Sequence, residues 1–275
     1  MAPPDTEPTN RIDMKIKEIT AVLEEAAPLS LQEHYDNSGL LVGNGDAETD
    51  SALLCVDITE AVVTEAAALG AGLVIAHHPV IFHPLKRLTG STYIERTVAL
   101  ALRQGIALYA CHTNLDSAPE GMSRKLGNLL GLRNVMLLEP TDTGVPGSGF
   151  GVVGETECGI PTTEFLRMVR DRLSVGCIRY SALTQPTVRR AAVCTGAGAS
   201  LMHEAKRAGA DIYLSADFKY NDFLDADRDL VIADIGHFES EYCAIDLIHE
   251  IIRKKMPNFA LHRSVQSVNP VNYLV

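Results

Sequence analysis

Metal-ligand residue types follow three apolar runs of the sequence. They are His77 and His78 after GLVIA, His112 and Asp116 after IALYAC, and His237 and Glu241 after LVIADIG. Imidazole and carboxylate ligands without thiolates suit zinc, iron, manganese or cobalt, and not a structural cysteine-rich zinc site. Burying such groups at the ends of apolar strands is costly unless they are paired, so their recurrence predicts a metal site.

Each segment taken alone also has a purely structural interpretation. The two histidines before Pro79 could simply be polar residues at a strand end. Asp116 could bond nearby backbone amides in a turn, and a His with a Glu four residues later is also an ordinary helix-surface pair. The three segments together favour a metal site, because all of them follow apolar strands.

The number of candidate ligands indicates more than one ion. Five or six ligands exceed the four of one tetrahedral site. They suit two ions about 3.5–4 Å apart that share a bridging carboxylate, an arrangement that lowers the pKa of a bound water. The sequence therefore predicts two divalent metal ions per chain, of zinc, iron, manganese or cobalt.

Other residues are weaker candidates for the same pocket. Cys111 could act as a nucleophile, although its position in a strand favours the core. Asp217 matches His78 in an internal repeat, and it could equally be a surface residue. Lys86 and Arg87 could bind an anionic substrate near the metals or form a solvated turn.

Apolar, β-branched runs alternate with helical stretches along most of the chain. This order predicts an α/β protein with mainly parallel sheets flanked by helices. Ligands of open α/β sheets lie beyond the carboxyl ends of the strands, which is where the candidate ligands fall. The predicted helices cover residues 13–26, 59–70, 93–104, 119–131, 162–173, 199–208, 220–226 and 240–256.

The second half of the chain repeats the order of the first. Each half begins with an apolar strand, a turn, a helix that contains Gly-Ala, and a second apolar strand. In each half a further strand is followed by a His, and an acidic residue lies four positions after that His. This predicts two related lobes with the metal site between them. The predicted boundaries are a flexible tail at 1–12, a first lobe at 13–140, a connecting loop at 141–151 and a second lobe at 152–275, whose C-terminal part completes the site.

Composition and charge argue against several other classes of protein. A net charge of -11 repels phosphate backbones, and the absence of Trp with only 5% aromatics leaves few stacking platforms for nucleic acid. Six cysteines without a CxxC pair indicate reduced thiols. No apolar stretch reaches the length that spans a bilayer, and the start lacks a signal-peptide pattern. We therefore expect a cytoplasmic protein that binds neither membranes nor nucleic acid.

Five segments together resemble the motifs of the Nif-three-like dinuclear-metal family, whose members are often named GTP cyclohydrolase I type 2 homologues. They are APLSLQEHYDNSGLLVG, AHHPVIFHPLKRL, ACHTNLDSAPEGM, LSADFKYNDFLDA and GHFESE. The resemblance implies a two-lobed α/β protomer with a dinuclear metal site between the lobes. It also implies a toroidal homohexamer whose sites face an internal cavity.

The resemblance also implies roles for individual residues. Asp116 and Glu241 would be bridging carboxylates, and His112 would lie beside the metals as a weak ligand, an acid or base, or an orienting group. Many relatives carry a His where this sequence has Asn221. The short connection at 141–151 leaves no room for the extra domain of some relatives. The implied metal ligands are His77, His78, Asp116, His237 and Glu241.

Three functions are consistent with these residues. The first is a metal-dependent hydrolase that acts on a nucleotide or another small polar substrate, and the cyclohydrolase label points to GTP. The second is a non-catalytic metal-binding regulatory or interaction protein. The third is a nucleotide-binding module without metal, in which TGAGAS at 195–200 could hold a phosphate on backbone amides. That segment lacks the third glycine of a dinucleotide fingerprint, which favours a plain tight turn.

Overall fold

The computed structural model describes residues 13–274, and the predicted tail at 1–12 lies outside them. The described chain divides into two compact units. Unit 1 comprises the described residues up to Glu25, Asn37–Cys111 and Ile248–Ser267, and unit 2 comprises Ala26–Asp36, His112–Leu247 and the described residues from Val268 onward. Residues 112–140 and the segment 141–151 both lie inside unit 2, and the predicted lobe boundaries stay a prediction.

Helices and strands alternate along the chain, which confirms the predicted α/β class. The strands are β1 (Met14–Lys15), β2 (Gly39–Val42), β3 (Glu48–Thr49), β4 (Ser51–Cys55), β5 (Leu73–Ala76), β6 (Ala107–Ala110), β7 (Arg133–Pro140), β8 (Gly149–Pro161), β9 (Arg179–Tyr180), β10 (Thr187–Ala197), β11 (Ile212–Ala216), β12 (Val231–Asp234) and β13 (Ala260–Arg263). The helices are α1 (Ile16–Ala26), α2 (Glu60–Leu69), α3 (Tyr93–Gln104), α4 (Thr113–Ser117), α5 (Met122–Leu129), α6 (Thr162–Leu173), α7 (Met202–Arg207), α8 (Tyr220–Asp225), α9 (His237–Glu241) and α10 (Cys243–Lys255).

The larger sheet of unit 1 is mainly parallel, as predicted. Its order is β13-β4-β5-β6-β2, and in it β2 alone runs antiparallel to its neighbour. Every residue of β4, β5 and β6 is buried, as expected for strands that are covered on both faces. Helix α2 starts after its cap Thr59 and ends at Gly70, whose φ of 73° suits glycine. Its Val62, Val63 and Ala66 pack into the core of this unit.

The sheet of unit 2 is mixed, with three neighbouring parallel strands and antiparallel strands on both sides of them. Its order is β7-β8-β10-β11-β12-β9, in which β10, β11 and β12 are parallel and the other pairings are antiparallel. The glycine-rich segment forms the turn of the hairpin β7–β8, where the Thr141 amide donates to the Ser148 carbonyl at 3.0 Å. A hairpin necessarily pairs its strands antiparallel. Strand β7 was not predicted, and none of its residues is fully buried.

One predicted helix is divided in the structure, and another is shortened. The segment 240–256 corresponds to α9, which already begins at His237, and to α10. The segment 119–131 is shortened to α5, and α4 precedes it. Gly121 lies between α4 and α5, where the chain packs so closely that a Cβ would lie 2.2 Å from the Leu115 carbonyl oxygen. As a result, short helices directly after β6 and β12 carry candidate ligands. No helix in the described part of the chain has the length and apolar content of a membrane span.

Candidate metal centre

Each of the four histidines predicted at or beside the metals is held through its Nδ1 atom. A carbonyl or ionised carboxylate oxygen only accepts hydrogen bonds, so a ring held in this way donates from Nδ1 and directs Nε2 away from that oxygen. Metal-binding histidines are oriented in this way. The acceptors, each at 2.7 Å, are the Cys111 carbonyl for His77, Asp57 for His78, Asp36 for His112 and Asp217 for His237.

In unit 1, the histidine pair continues directly from strand β5. The His77 amide donates to the Cys55 carbonyl at 3.3 Å and the His78 amide to the Val56 carbonyl at 2.9 Å, so the ladder with β4 extends into the pair. His77 is completely buried and His78 half-buried. Asp57 follows β4, and the neighbouring strand therefore supplies the carboxylate that holds His78.

In unit 2, the predicted site residues of that unit meet at one cavity of about 410 Å³. His112 and Asp116 come from the segment after β6, and His237 and Glu241 come from the segment after β12. All four line the cavity. Its volume is in the range of small-molecule sites, so the strand-end residues of this unit border a space that a substrate could enter.

Helix α9 places His237 and Glu241 on one face, because residues four apart in a helix are neighbours. His237 Nε2 lies 3.0 Å from Glu241 Oε2. Glu241 is only 4% exposed, which rules out an ordinary surface pair. Two ligands that each lie about 2.0–2.2 Å from one ion are separated by about 3 Å. His237 and Glu241 thus belong to a histidine–glutamate group that could hold a metal ion.

The TGAGAS segment forms a wall of this site. Gly196 has a φ of +61°, and a Cβ there would lie 2.1 Å from Glu241 Oε1. The Gly196 amide donates to the Ser240 hydroxyl of α9 at 2.9 Å, and the Gly198 amide donates to the Ser215 hydroxyl at 2.9 Å. The segment is therefore a tight turn that packs against α9, and these amides are already used within the protein.

Asp116 faces a partner from a different part of the chain. Its Oδ1 accepts a hydrogen bond from the Thr195 hydroxyl at 3.2 Å. The local turn is closed by another side chain, because Asn114 Oδ1 accepts from the His112 amide at 2.9 Å. The carboxylate of Asp116 is thus directed at the turn after β10, and its sequence position alone did not show this.

Asp36 holds His112 and was not identified from the sequence. Its side chain is 0% exposed, and it also accepts hydrogen bonds from the amide, at 3.0 Å, and the hydroxyl of Thr113. Three donors around one buried carboxylate favour its ionised form. The only indication in the sequence was the acidic residue in HYDNSG. It lies 76 residues before His112, and no local sequence pattern links the two.

The weaker candidates fall in different places. Asp217 contacts the site indirectly, because its carboxylate holds the His237 ring. Its backbone φ of 58° is unusual for a residue other than glycine. Cys111 is buried in the core, and burial raises the pKa of its thiol, which argues against a nucleophile. Asn221 is exposed on α8 and does not line the cavity. Lys86 and Arg87 line an open hollow of unit 1, together with aliphatic side chains.

Negative charge dominates the cavity of unit 2. Burial raises the pKa of Tyr35, and the carboxylates of Glu33, Asp36 and Asp116 raise it further. Burial together with the charge of Asp116 also raises the pKa of Cys194 to about 12. The Cys194 thiol at the cavity wall therefore stays protonated at neutral pH and is unsuited to nucleophilic attack.

Fold and site together define an α/β protein with a candidate metal centre of imidazole and carboxylate ligands. Residues 14–270 match the family model described as Duf34/NIF3 (NGG1p interacting factor 3), and the chain belongs to this family. The resemblance stated from the motifs is thereby confirmed.

Relatives and solved structures agree over nearly the whole chain. A GTP cyclohydrolase 1 type 2 homolog of Clostridium perfringens is 31% identical over 246 residues, which are 88% of this chain and 93% of the relative. A protein of the same name from Lactococcus lactis is 34% identical over 264 residues, which are 94% and 98% of the two chains. The crystal structure of a Staphylococcus aureus hypothetical protein matches with a TM-score of 0.87 and 25% identity, covering 95% of this chain and 99% of that one.

Proposed function

We propose that this protein binds two divalent metal ions and is a metal-dependent hydrolase of a small polar substrate. The observation that supports this best is the position of the four imidazoles: Nδ1 of each ring lies 2.7 Å from a carbonyl or carboxylate oxygen. This contact leaves Nε2 as the ring atom that would bind a metal ion. The proposed ligands are His77, His78, Asp116, His237 and Glu241.

The residues of unit 2 fit a metal ion on two further grounds. Glu241 is buried where only a glycine at position 196 leaves room for its carboxylate. Buried carboxylates are stable when they are paired or bind metals. A bound divalent ion supplies Lewis acidity and lowers the pKa of a coordinated water toward neutrality. Asp116 and Glu241 are the proposed residues that would hold the ions through carboxylate oxygens.

His112 is the proposed group that moves a proton. It lines the cavity, and the buried carboxylate of Asp36 fixes its ring through Nδ1. With the ring held in one orientation, Nε2 can take up a proton and then release it, so His112 can act as a base and then as an acid. Asp36 is a positioning residue, because it acts only through the His112 ring.

The decisive test is metal content per chain, measured by plasma mass spectrometry on protein purified without a histidine tag. Wild type should carry about two ions, and Glu241→Gln should carry markedly fewer. The matched control is Glu164→Gln, since Glu164 is exposed on α6 and does not line the cavity. No metal in wild type after growth or incubation with zinc, iron, manganese or cobalt would overturn the proposal.

Hydrolysis is tested separately on the metal-loaded protein with a panel of nucleotides, esters and phosphoesters. If metal binds and no substrate is turned over, the alternative of a non-catalytic metal-binding interaction protein is favoured. The family description names an interacting factor, which is the observation behind this alternative. The cytoplasmic homohexamer implied by the family resemblance stays a prediction, which light scattering after size exclusion would test for its subunit number.

A further inference from the structure

We infer that the cavity of unit 2 takes a ligand without net negative charge that has an apolar ring and N–H donors, and that it rejects nucleoside polyphosphates. This inference rests on the proposed function, because it names the substrate class of the same site. Four features of the cavity carry it: the charges, the glycine turn, the hydroxyl groups and an apolar wall.

The charges of the lining residues come first. Glu33, Asp116, Glu139 and Glu241 all line the cavity, and none of the described side chains that line it is Lys or Arg. Even the two divalent ions proposed above would only balance these four carboxylates. Sites that bind polyphosphates use Arg or Lys in addition to metal ions. A triphosphate would therefore bring uncompensated negative charge into this cavity.

The glycine turn does not replace the missing cations. Glycine-rich turns bind phosphate through backbone amides that point at the ligand. Here the amides of residues 195, 196 and 198 donate instead to the hydroxyls of Ser123, Ser240 and Ser215, at 3.3, 2.9 and 2.9 Å. A phosphate could use them only by displacing three internal hydrogen bonds.

Two of the four hydroxyl groups of the lining, those of Thr113 and Thr195, already donate within the protein. The Thr113 hydroxyl donates to Asp36, and the Thr195 hydroxyl donates to Asp116 at 3.2 Å. Glu33 and Glu139 contribute carboxylates, which only accept. The wall thus offers acceptors in excess, and a ligand must bring N–H or O–H donors of its own to satisfy them.

The lining also contains an apolar surface. Phe150 and Leu201 line the cavity, and Leu201 is held closely, since a Cβ at Gly151 would lie 2.8 Å from its Cδ1. A flat ring packed on Phe150 and Leu201 gains apolar contact. The chemistry of the cavity therefore fits the uncharged base and sugar of a nucleoside better than a nucleoside triphosphate.

Calorimetric binding of guanosine and GTP tests the inference, because the two share base and sugar and differ in the phosphates. The full-length protein is titrated with each in the presence and in the absence of Mn²⁺. We expect guanosine to bind at least about tenfold tighter than GTP, because like charges brought together at a binding surface weaken binding strongly. Glu139→Gln should narrow this ratio severalfold, and Glu164→Gln should leave it unchanged.

Two results would overturn the inference: tighter binding of GTP than of guanosine, or no binding of guanosine. Metal content is measured on the same samples, so the two proposals fail separately. Metal-loaded protein that prefers GTP removes the charge inference and leaves the metal proposal intact. Protein that contains no metal but still prefers guanosine removes the metal proposal and leaves the charge inference intact.

Discussion

The two units hold their histidines by different means. Unit 1 has two consecutive histidines at the end of a parallel strand, and its fully buried His77 is held by a backbone carbonyl. Unit 2 has histidines on separate segments, and each is held by a carboxylate from a distant position, Asp36 or Asp217. In unit 1 only His78 depends on a single side chain, that of Asp57, whereas both histidines of unit 2 depend on one. Loss of one carboxylate should therefore release one histidine in either unit, and His77 alone among the four should keep its partner after any such substitution.

The largest effect on stability and metal content is expected from Gly196→Ala. The added methyl group would lie 2.1 Å from Glu241 Oε1, at a φ of +61°. We expect a loss of stability well above the about 1–2 kcal/mol of a left-handed residue, together with loss of metal. Gly209→Ala is the matched control, since its φ is +70° with nothing within 4 Å. Urea denaturation and metal content measure both effects, and equal losses in the two variants would contradict the close fit of Glu241 against this turn.

An intermediate effect, on metal affinity, is expected from Asp57→Asn in unit 1 and Asp217→Asn in unit 2. An amide can donate to Nδ1 and so favour the tautomer that has its proton on Nε2. Loss of such a partner typically weakens metal affinity about 10–100-fold. Competition with a chelator measures the affinity, and the two variants should lose similar amounts if His78 and His237 are both ligands. A loss confined to Asp217→Asn would remove His78 from the ligand set.

The smallest effect is expected at Glu95, which concerns the fold of unit 1 and not its histidines. Hydrogen bonds from the hydroxyl and amide of Thr89, and from Ser91, lower the pKa of Glu95 to about 2. Because the pKa is lowered in the folded state, the stabilisation is complete above the ordinary pKa near 4.5 and is lost as the pH falls toward 2. Glu95→Gln should lower the urea midpoint near neutral pH, and this difference should shrink in acid. A difference independent of pH would refute the ionic origin.

The sequence predicted local features well and long-range ones poorly. The end of α2 at Gly70 and the histidines beyond β5 follow from short patterns, because caps and apolar runs act over a few residues. Asp36 and Asp57 were missed, since their partners are 76 and 21 residues away. The close approach of Gly196 to Glu241 depends on how the turn packs against α9, which no pattern of residue types encodes. The turn of the hairpin β7–β8 was not recognised, because its glycine-rich segment was interpreted as a link between lobes.

The short stretch Ala26–Asp36 belongs to unit 2, although the chain before and after it belongs to unit 1. It supplies Asp36, and its Ala27 carbonyl accepts from the Asn114 side chain at 2.8 Å. Unit 2 is therefore not encoded by one continuous stretch of gene. A fragment that starts at residue 112 would lack the carboxylate that orients His112. Isolating this unit calls for fragment complementation with a peptide of residues 26–36, and simple truncation would not suffice.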